Sequence, residues 1–257
     1  MIKRLEDERL INIDMLMQSC CGRRILAYLD AYGTSYDFCR FYISGDLGVI
    51  LLINSTMIIY GDDFDPDELK SFSEMNMPFR IEGSCTALDM IRNLEQYKVL
   101  HRTMFQLVGG NDCDIDEKDI NFTPCLDDVY DILHEGFPNL NDYPLWLTDT
   151  SHRVRRGISS VITYNDTTTA SLMYDINGYV LVGQVATRAA SRGNGYARRF
   201  LKWLASYLEG HGKTSYLYAL DVRESFYREI GFKEIESQYV LERISDNAES
   251  EMKGKLQ

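Results

Sequence analysis

The order of short strand-like and helix-like segments repeats along this 257-residue chain, and that repeat limits the folds open to it more than any other feature. Residues 38–43, 49–53 and 57–60 are β-branched and aromatic runs parted by Gly45-Asp46 and Asn54-Ser55 turns. Asp65-Pro66 reads as an N-cap with proline at the first helical position, opening a helix through about residue 75. A strand over 79–82, a helix over 87–94 and a long strand over 98–108 follow. The second half begins with helical patterns at 127–134 and 145–156, broken by Pro138 and Pro144. Strands come next at 158–164, 170–175 and 179–186, the last two joined by the hairpin signal Asn177-Gly178. A loop over 187–194 leads into a helix from Gly195 to about Leu208, with Phe200, Leu201, Leu204 and Leu208 on one face. A strand over 215–220, a helix over 224–230 and a strand over 233–241 complete the pattern, and the charged tail from Ser245 is expected to fray.

Each half therefore contains β-β-β-α-β-α-β. That order predicts an α/β (α+β) layer fold, a sheet flanked by helices. It also suggests an internal duplication, although periodicity does not separate duplication from coincidence. The stretch 109–118, rich in Gly, Asn and Asp, is the best candidate linker, giving expected domains of 1–120 and 121–257.

Charge and composition narrow the function. The net charge is −12, which argues against nucleic acid or an anionic membrane as partner. The longest aliphatic run, 49–53, is far short of the ~20 residues a membrane helix needs. Lys3 and Arg4 are followed by Glu6, Asp7, Glu8 and Arg9 where a signal peptide would be apolar, so a cytoplasmic location is expected. The six cysteines have no close paired spacing and read as reduced thiols. Residues 1–120 carry 12 Lys and Arg against 21 Asp and Glu, whereas 151–199 holds seven arginines (153, 155, 156, 188, 192, 198 and 199) and only Asp166 and Asp175. A local excess of positive charge in an acidic protein suits a small polyanionic ligand, and on charge alone suits a solvated basic face equally.

The stretch Gly183 to Ala197 runs strand, glycine-bearing loop, helix. Glycines let backbone approach a ligand, and a helix start offers unpaired N–H groups with partial positive charge. A dinucleotide fingerprint would need Gly193, Gly195 and a small residue at 198, where arginine stands. A P-loop ending in Gly212-Lys213-Thr214 would need glycine at 207, where tyrosine stands. The remaining pattern, [Arg/Gln]-x-x-Gly-x-[Gly/Ala], is met by Arg192, Gly195 and Ala197.

With the strand ending Val185-Ala186-Thr187 before it and Phe226-Tyr227-Arg228-Glu229-Ile230-Gly231-Phe232 after it, this loop resembles that of the GCN5-related N-acetyltransferase (GNAT) superfamily, over roughly residues 121–243. The resemblance implies a mixed, mostly antiparallel sheet flanked by helices, in two tandem halves. It implies acetyl-coenzyme A as cosubstrate and transfer of an acetyl group to a primary amine of a small molecule; no metal is expected, since the sequence has no His-Glu-x-x-His and no Cys-x-x-Cys. It further implies that the backbone of Arg192, Gly193, Asn194, Gly195, Tyr196 and Ala197 holds the pyrophosphate, and that Val185 and Thr187 hold the pantetheine arm and acyl carbonyl. By the same likeness Val185 N–H is the oxyanion donor and Tyr227 the general acid. The alternative is a non-catalytic coenzyme A-binding regulator or interaction protein, and a nucleotide-phosphate binder using the same glycine loop is a further rival. In the first half the corresponding loop is Gly61-Asp62-Asp63-Phe64-Asp65-Pro66-Asp67-Glu68, whose five carboxylates would repel a pyrophosphate and whose proline lacks an amide donor. That half is read as degenerate and without a coenzyme site; an unrelated α/β domain is the other reading.

The general base stays unassigned. Asp149 and His152 share a helix face, which fits a solvated surface as well as a site, and Glu135 and Glu224 are no better distinguished. Asp112, Asp114 and Asp116 imitate the start of a calcium loop, but Glu117 replaces the required glycine and Thr123 the final carboxylate. An acidic first half would concentrate a cationic amine, so a cationic acceptor is expected.

Overall fold

The structure, a computed structural model, describes residues 1–110, 115–137, 140 and 142–244. Asp112 and Asp114 of the imitation calcium loop, Pro138 and the tail from Ser245 lie outside the described residues. Two compact units are present, Met1–Arg102 with the described part of Ser237–Gln257, and Thr103–Glu236.

The first unit contains β1 (Lys3–Arg4), α1 (Ile13–Met17), α2 (Cys20–Tyr32), β2 (Cys39–Ser44), β3 (Gly48–Ile53), β4 (Thr56–Tyr60), α3 (Pro66–Asn76), β5 (Arg80–Gly83), α4 (Cys85–Ile91) and the start of β6 (Tyr97–Gln106). The sequence reading placed nothing at α2, yet its signal was present: the Ser19 side chain accepts the Gly22 N–H at 2.8 Å, an N-cap before an apolar run. A Cβ on Gly22 would lie 2.1 Å from the Leu16 carbonyl oxygen, so only glycine lets α1 and α2 approach this closely. Strands β1 to β4 pair antiparallel in sequence order, and β4 pairs parallel with β5. Ile50, Leu52, Met57 and Ile59 from this sheet meet Leu69, Phe72 and Leu88 from α3 and α4 in one buried cluster. Each such side chain removed from water contributes about 1.5–3 kcal/mol.

The second unit holds the end of β6, then β7 (Ile120–Asn121), α5 (Leu126–Gly136), α6 (Tyr143–Arg155), β8 (Ser160–Tyr164), β9 (Thr168–Ile176), β10 (Tyr179–Thr187), α7 (Tyr196–Gly210), β11 (Thr214–Leu220), α8 (Asp221–Glu229) and the start of β12 (Lys233–Arg243). Asn177 and Gly178 adopt φ of 48° and 76°, the left-handed pair that a tight hairpin requires, and set Ile176 opposite Tyr179. Adjacent residues on β8 face opposite ways: Ile162 joins Phe200, Leu204 and Leu217 under α7, while Val161 joins Val129, Ile132 and Trp146 under α5 and α6. The sheet is thus covered on both faces. Pairing is antiparallel from β7 to β10 and parallel between β10 and β11.

Both units run β-α-α-β-β-β-α-β-α-β, and each holds a mixed, mostly antiparallel sheet flanked by helices, as expected from the sequence. The division between them differs from a cut at residue 120. Leu241 and Glu242 of β12 pair with Ile81 and Arg80 of β5, so the last strand among the described residues finishes the first unit. No helix among the described residues is long and apolar enough to cross a membrane.

Candidate functional site

Strands β10 and β11 part company early. Tyr179, Val180 and Leu181 pair with Thr214, Ser215 and Tyr216, after which neither strand pairs further with the other although β10 runs on to Thr187 and β11 to Leu220. Beyond that point β10 is also irregular against β9. Gly183 stands opposite Ser171 and Ala186 opposite Thr169, so β10 carries one extra residue in a bulge. Gln184 sits in that bulge at φ 50°, a left-handed conformation that costs a non-glycine residue about 1–2 kcal/mol. Its side-chain carbonyl accepts a hydrogen bond from the Ser171 hydroxyl at 2.8 Å, which holds the bulge in place. The edge of β10 facing the gap, including half-buried Val185, is left without a ladder partner.

Beyond β10 the loop presents donors. Gly193 and Gly195 have φ of 81° and 74°, and a Cβ on either would meet no atom within 4 Å, so both face open space. The first main-chain bond of α7 is Arg199 N–H to the Gly195 carbonyl, and no side chain caps the helix. The six consecutive amides from Gly193 to Arg198 therefore have no acceptor among the described residues. An oxyanion carrying several oxygens is what such a run of N–H groups and the helix dipole favour.

Arg192 is used differently from its neighbours. Its Nε donates to the Thr187 carbonyl at 3.0 Å and its Nη2 to the Glu135 carbonyl at 2.7 Å, so its side chain braces the loop. Its own amide is spent on the Ala189 carbonyl. Thr187 is also committed, its hydroxyl lying 3.0 Å from that of Thr168. Arg188 donates to the Asp166 carbonyl at 3.3 Å and approaches Glu135 at 3.7 Å. Arg198 pairs with Glu229 at 3.0 Å, and Arg199 lies over the Tyr196 ring with its Cζ 5.1 Å from the centroid. Much of the local positive charge is already partnered.

Tyr227 of α8 packs with its ring centroid 5.6 Å from that of Phe105, and with Val185 and Tyr196 it lies against the same core cluster. Its hydroxyl makes no hydrogen bond to any described residue. Burial pushes its pKa above the usual phenol value, with Arg223 pulling weakly the other way. The phenol is thus held protonated at neutral pH, at some cost in acid strength. The carboxylates weighed as bases are otherwise engaged. Glu224 accepts from the Thr103 hydroxyl, and it pairs with Arg228 at 2.7 Å. The Thr103 bond is the main influence holding its pKa below the ordinary carboxylate range; burial opposes it and Arg228 reinforces it. Asp149 pairs with Arg153 four residues on. Glu135 accepts the Ala189 N–H. That bond joins residues 54 apart, and no local sequence signal announces it.

The matching segment of the first unit is built otherwise. Thr56 to Ile59 of β4 pair with Arg80 to Gly83 of β5 along the whole of β5, and Ser84 N–H then donates to the Ile59 carbonyl at 3.0 Å. No gap opens. Asp65 caps α3 by accepting the Glu68 N–H at 2.9 Å, Pro66 offers no amide, and Phe64 of the loop is buried in the core. Nearby, Glu82 is buried between Arg24 at 2.8 Å and Arg102 at 2.6 Å. Burial pushes the Glu82 carboxyl up, but the two guanidiniums outweigh it and hold its pKa at about 2. Cys21 donates to the Ile59 carbonyl, and burial, reinforced by Glu82, pushes its thiol up to about 12.

No protein-family model matches the chain, and no curated protein matches it in sequence. Solved structures do match. A GCN5-related N-acetyltransferase from Sphaerobacter thermophilus aligns with a TM-score of 0.61 at 16% identity, over 95% of each chain. One from Kribbella flavida aligns with a TM-score of 0.57 at 13% identity, over 90% of this chain and 98% of its own. A GCN5-related N-acetyltransferase-like protein from Streptococcus suis aligns with a TM-score of 0.54 at 15% identity, over 92% of this chain and 99% of its own. The chain has the GNAT fold along nearly its whole length.

Proposed function

We propose that this protein is an acetyl-coenzyme A-dependent N-acetyltransferase whose acceptor is a primary amine of a small molecule, with cationic amines favoured. One observation carries the reading: six unpartnered amides, Gly193 to Arg198, open α7 directly beyond a strand that has separated from its neighbour. The donor set suits a pyrophosphate, and the open space over Gly193 and Gly195 leaves room for one. The unpaired edge of β10 suits an amide-bearing arm such as pantetheine, held as an added strand would be. Thr187 contributes less to this than the sequence implied, since its carbonyl and hydroxyl are already bonded within the chain.

The bound thioester supplies an activated acetyl carbonyl. The amine nitrogen forms a bond to that carbon as the C–S bond breaks. The Val185 N–H donates to the oxygen that gains negative charge. The Tyr227 hydroxyl gives its proton to the departing thiolate and regains one from the proton the ammonium loses, through water. With Asp149, Glu135 and Glu224 engaged by their own partners, a water relay is the economical route for that proton.

The test is thiol release from acetyl-coenzyme A with a panel of cationic, neutral and anionic amines. Thiol release with a cationic member is expected, weakening with salt. Binding of coenzyme A with no release on any amine would replace the enzyme by a non-catalytic coenzyme-binding protein. Thermal stabilisation by ATP or NAD but not by coenzyme A would replace the coenzyme by another nucleotide.

A further inference from the structure

A carboxylate is out of place beside an anion-binding loop, yet Glu135, from the last turn of α5, is held there by contacts that leave neither oxygen idle. Its Oε2 accepts the Ala189 N–H, and its Oε1 lies 3.7 Å from Arg188 Nη1. Its main-chain carbonyl accepts from Arg192 Nη2 at 2.7 Å, and Arg192 Nε turns back to the Thr187 carbonyl at 3.0 Å. The end of α5 also abuts the end of β10, since a Cβ on Gly136 would lie 3.1 Å from that of Ala186. Between Arg188 and Gly195 the other bonds are few. Arg188 N–H reaches the Thr167 carbonyl at 2.8 Å and its Nε the Asp166 carbonyl, and Arg199 Nη2 of α7 reaches the Asn194 carbonyl only at 3.5 Å, whereas the Ser191 and Arg192 amides and the Asn194 side chain bond within the loop. The shape that exposes the amides of Gly193 to Arg198 therefore depends heavily on α5.

We propose that Glu135 is a positioning residue that, with Arg192, clamps the 188–195 loop to α5 and so preorganises the coenzyme site. This rests on the coenzyme reading of the loop, deepens it, and reassigns the motif arginine from phosphate ligand to brace. Charge matters less than acceptance of the Ala189 N–H, because the pair with Arg188 is long, at 3.7 Å, and part-exposed on both sides. Preorganisation acts on affinity by sparing the ligand the cost of ordering the loop.

The experiment compares wild type with Glu135→Gln and Glu135→Ala by amide hydrogen exchange of residues 187–197 without ligand, titration calorimetry with coenzyme A, and kcat. The alanine variant is expected to exchange about tenfold faster in this segment and to bind coenzyme A about tenfold more weakly. The glutamine variant keeps an acceptor oxygen and is expected to stay within about threefold of wild type in both. Wild-type exchange in the alanine variant would overturn the clamp. So would a glutamine variant with native loop exchange and affinity but a kcat collapsed by about 10² or more, since that is the signature of a general base. If wild type binds no coenzyme A, the function is wrong, and the exchange measurement still decides the clamp on its own.

Discussion

The chain contains the same strand–loop–helix device twice, and the two copies differ at each point where a ligand would touch. In the second unit β10 bulges at Gln184, leaves β11 after Leu181, and hands over to a glycine loop whose amides stand open. In the first unit β4 stays paired with β5 to Gly83, and the loop is closed by its own side chains, with Asp65 on the helix amide and Phe64 in the core. One helix start is satisfied from within and the other is not. The fold alone does not make a site, and only the second unit adds to it an unsatisfied set of donors beside an unpaired strand edge.

The sharpest way to break this contrast is at Tyr227. Replacing it with Phe keeps the ring against Phe105 and deletes a hydroxyl with no partner among the described residues, so stability should change little. If the hydroxyl serves the leaving thiolate, turnover should fall by about 10²–10⁴ with coenzyme A affinity nearly constant. Single-turnover kinetics decide this, with Tyr196→Phe and Tyr218→Phe as controls. Turnover equal to theirs would make the hydroxyl structural and leave protonation of the thiolate to water or another group.

The first unit should fail in the opposite manner. Glu82→Gln leaves Arg24 and Arg102 buried without their carboxylate and should cost about 3–5 kcal/mol by denaturant melts, with unchanged coenzyme A affinity in the folded fraction. The native Glu82 pKa is depressed from 4.5 to about 2. Its contribution to stability is therefore complete above pH 4.5 and is lost as pH falls through the interval toward 2. The variant should lack that part of the acid limb.

Gly195→Glu places bulk and negative charge among the open amides and should weaken coenzyme A by about 10²; its Cβ meets nothing, so the protein should stay folded at the cost of about 1–2 kcal/mol of strain from a side chain at φ 74°. Calorimetry on the wild type should report one coenzyme A per chain. Two would mean that the first unit is also a site. The smallest effect belongs to Asp65→Ala, which removes the cap on Glu68 N–H and should cost about 1 kcal/mol. It should not create a second site, because Pro66 still lacks an amide and β4 remains paired.

Most of this contrast is legible in residues that act locally. Pro66 and the five carboxylates around it, the Asn177-Gly178 turn, and Gly195 before an apolar helix face each state their backbone preference in a few letters. What escapes is non-local or sterically indirect. Gln184 has no intrinsic preference for φ 50°, and its bulge is fixed by Ser171 on the neighbouring strand. Arg192 looks like a phosphate ligand until the Glu135 carbonyl is brought to it. The helix at Cys20–Tyr32 is missed for another reason: two cysteines and a glycine weaken its periodic signal although Ser19 marks its start.

The return of β12 to the first unit has a consequence during synthesis. Tyr239 and Leu241 belong to the first unit's core, Tyr239 bonds Asp89 at 2.6 Å, and Glu242 pairs with Arg80 at 2.7 Å and Lys98 at 3.1 Å. A ribosome adding residues at about 5–20 per second will have released Met1–Arg102 many seconds before these partners exist. Until then Ile81 lacks its cross-strand neighbour Leu241, and the β5 edge offers unpaired backbone to any other nascent strand. The unit made first is completed last, so a stop codon shortly before residue 237 should harm the end of the molecule that was translated earliest.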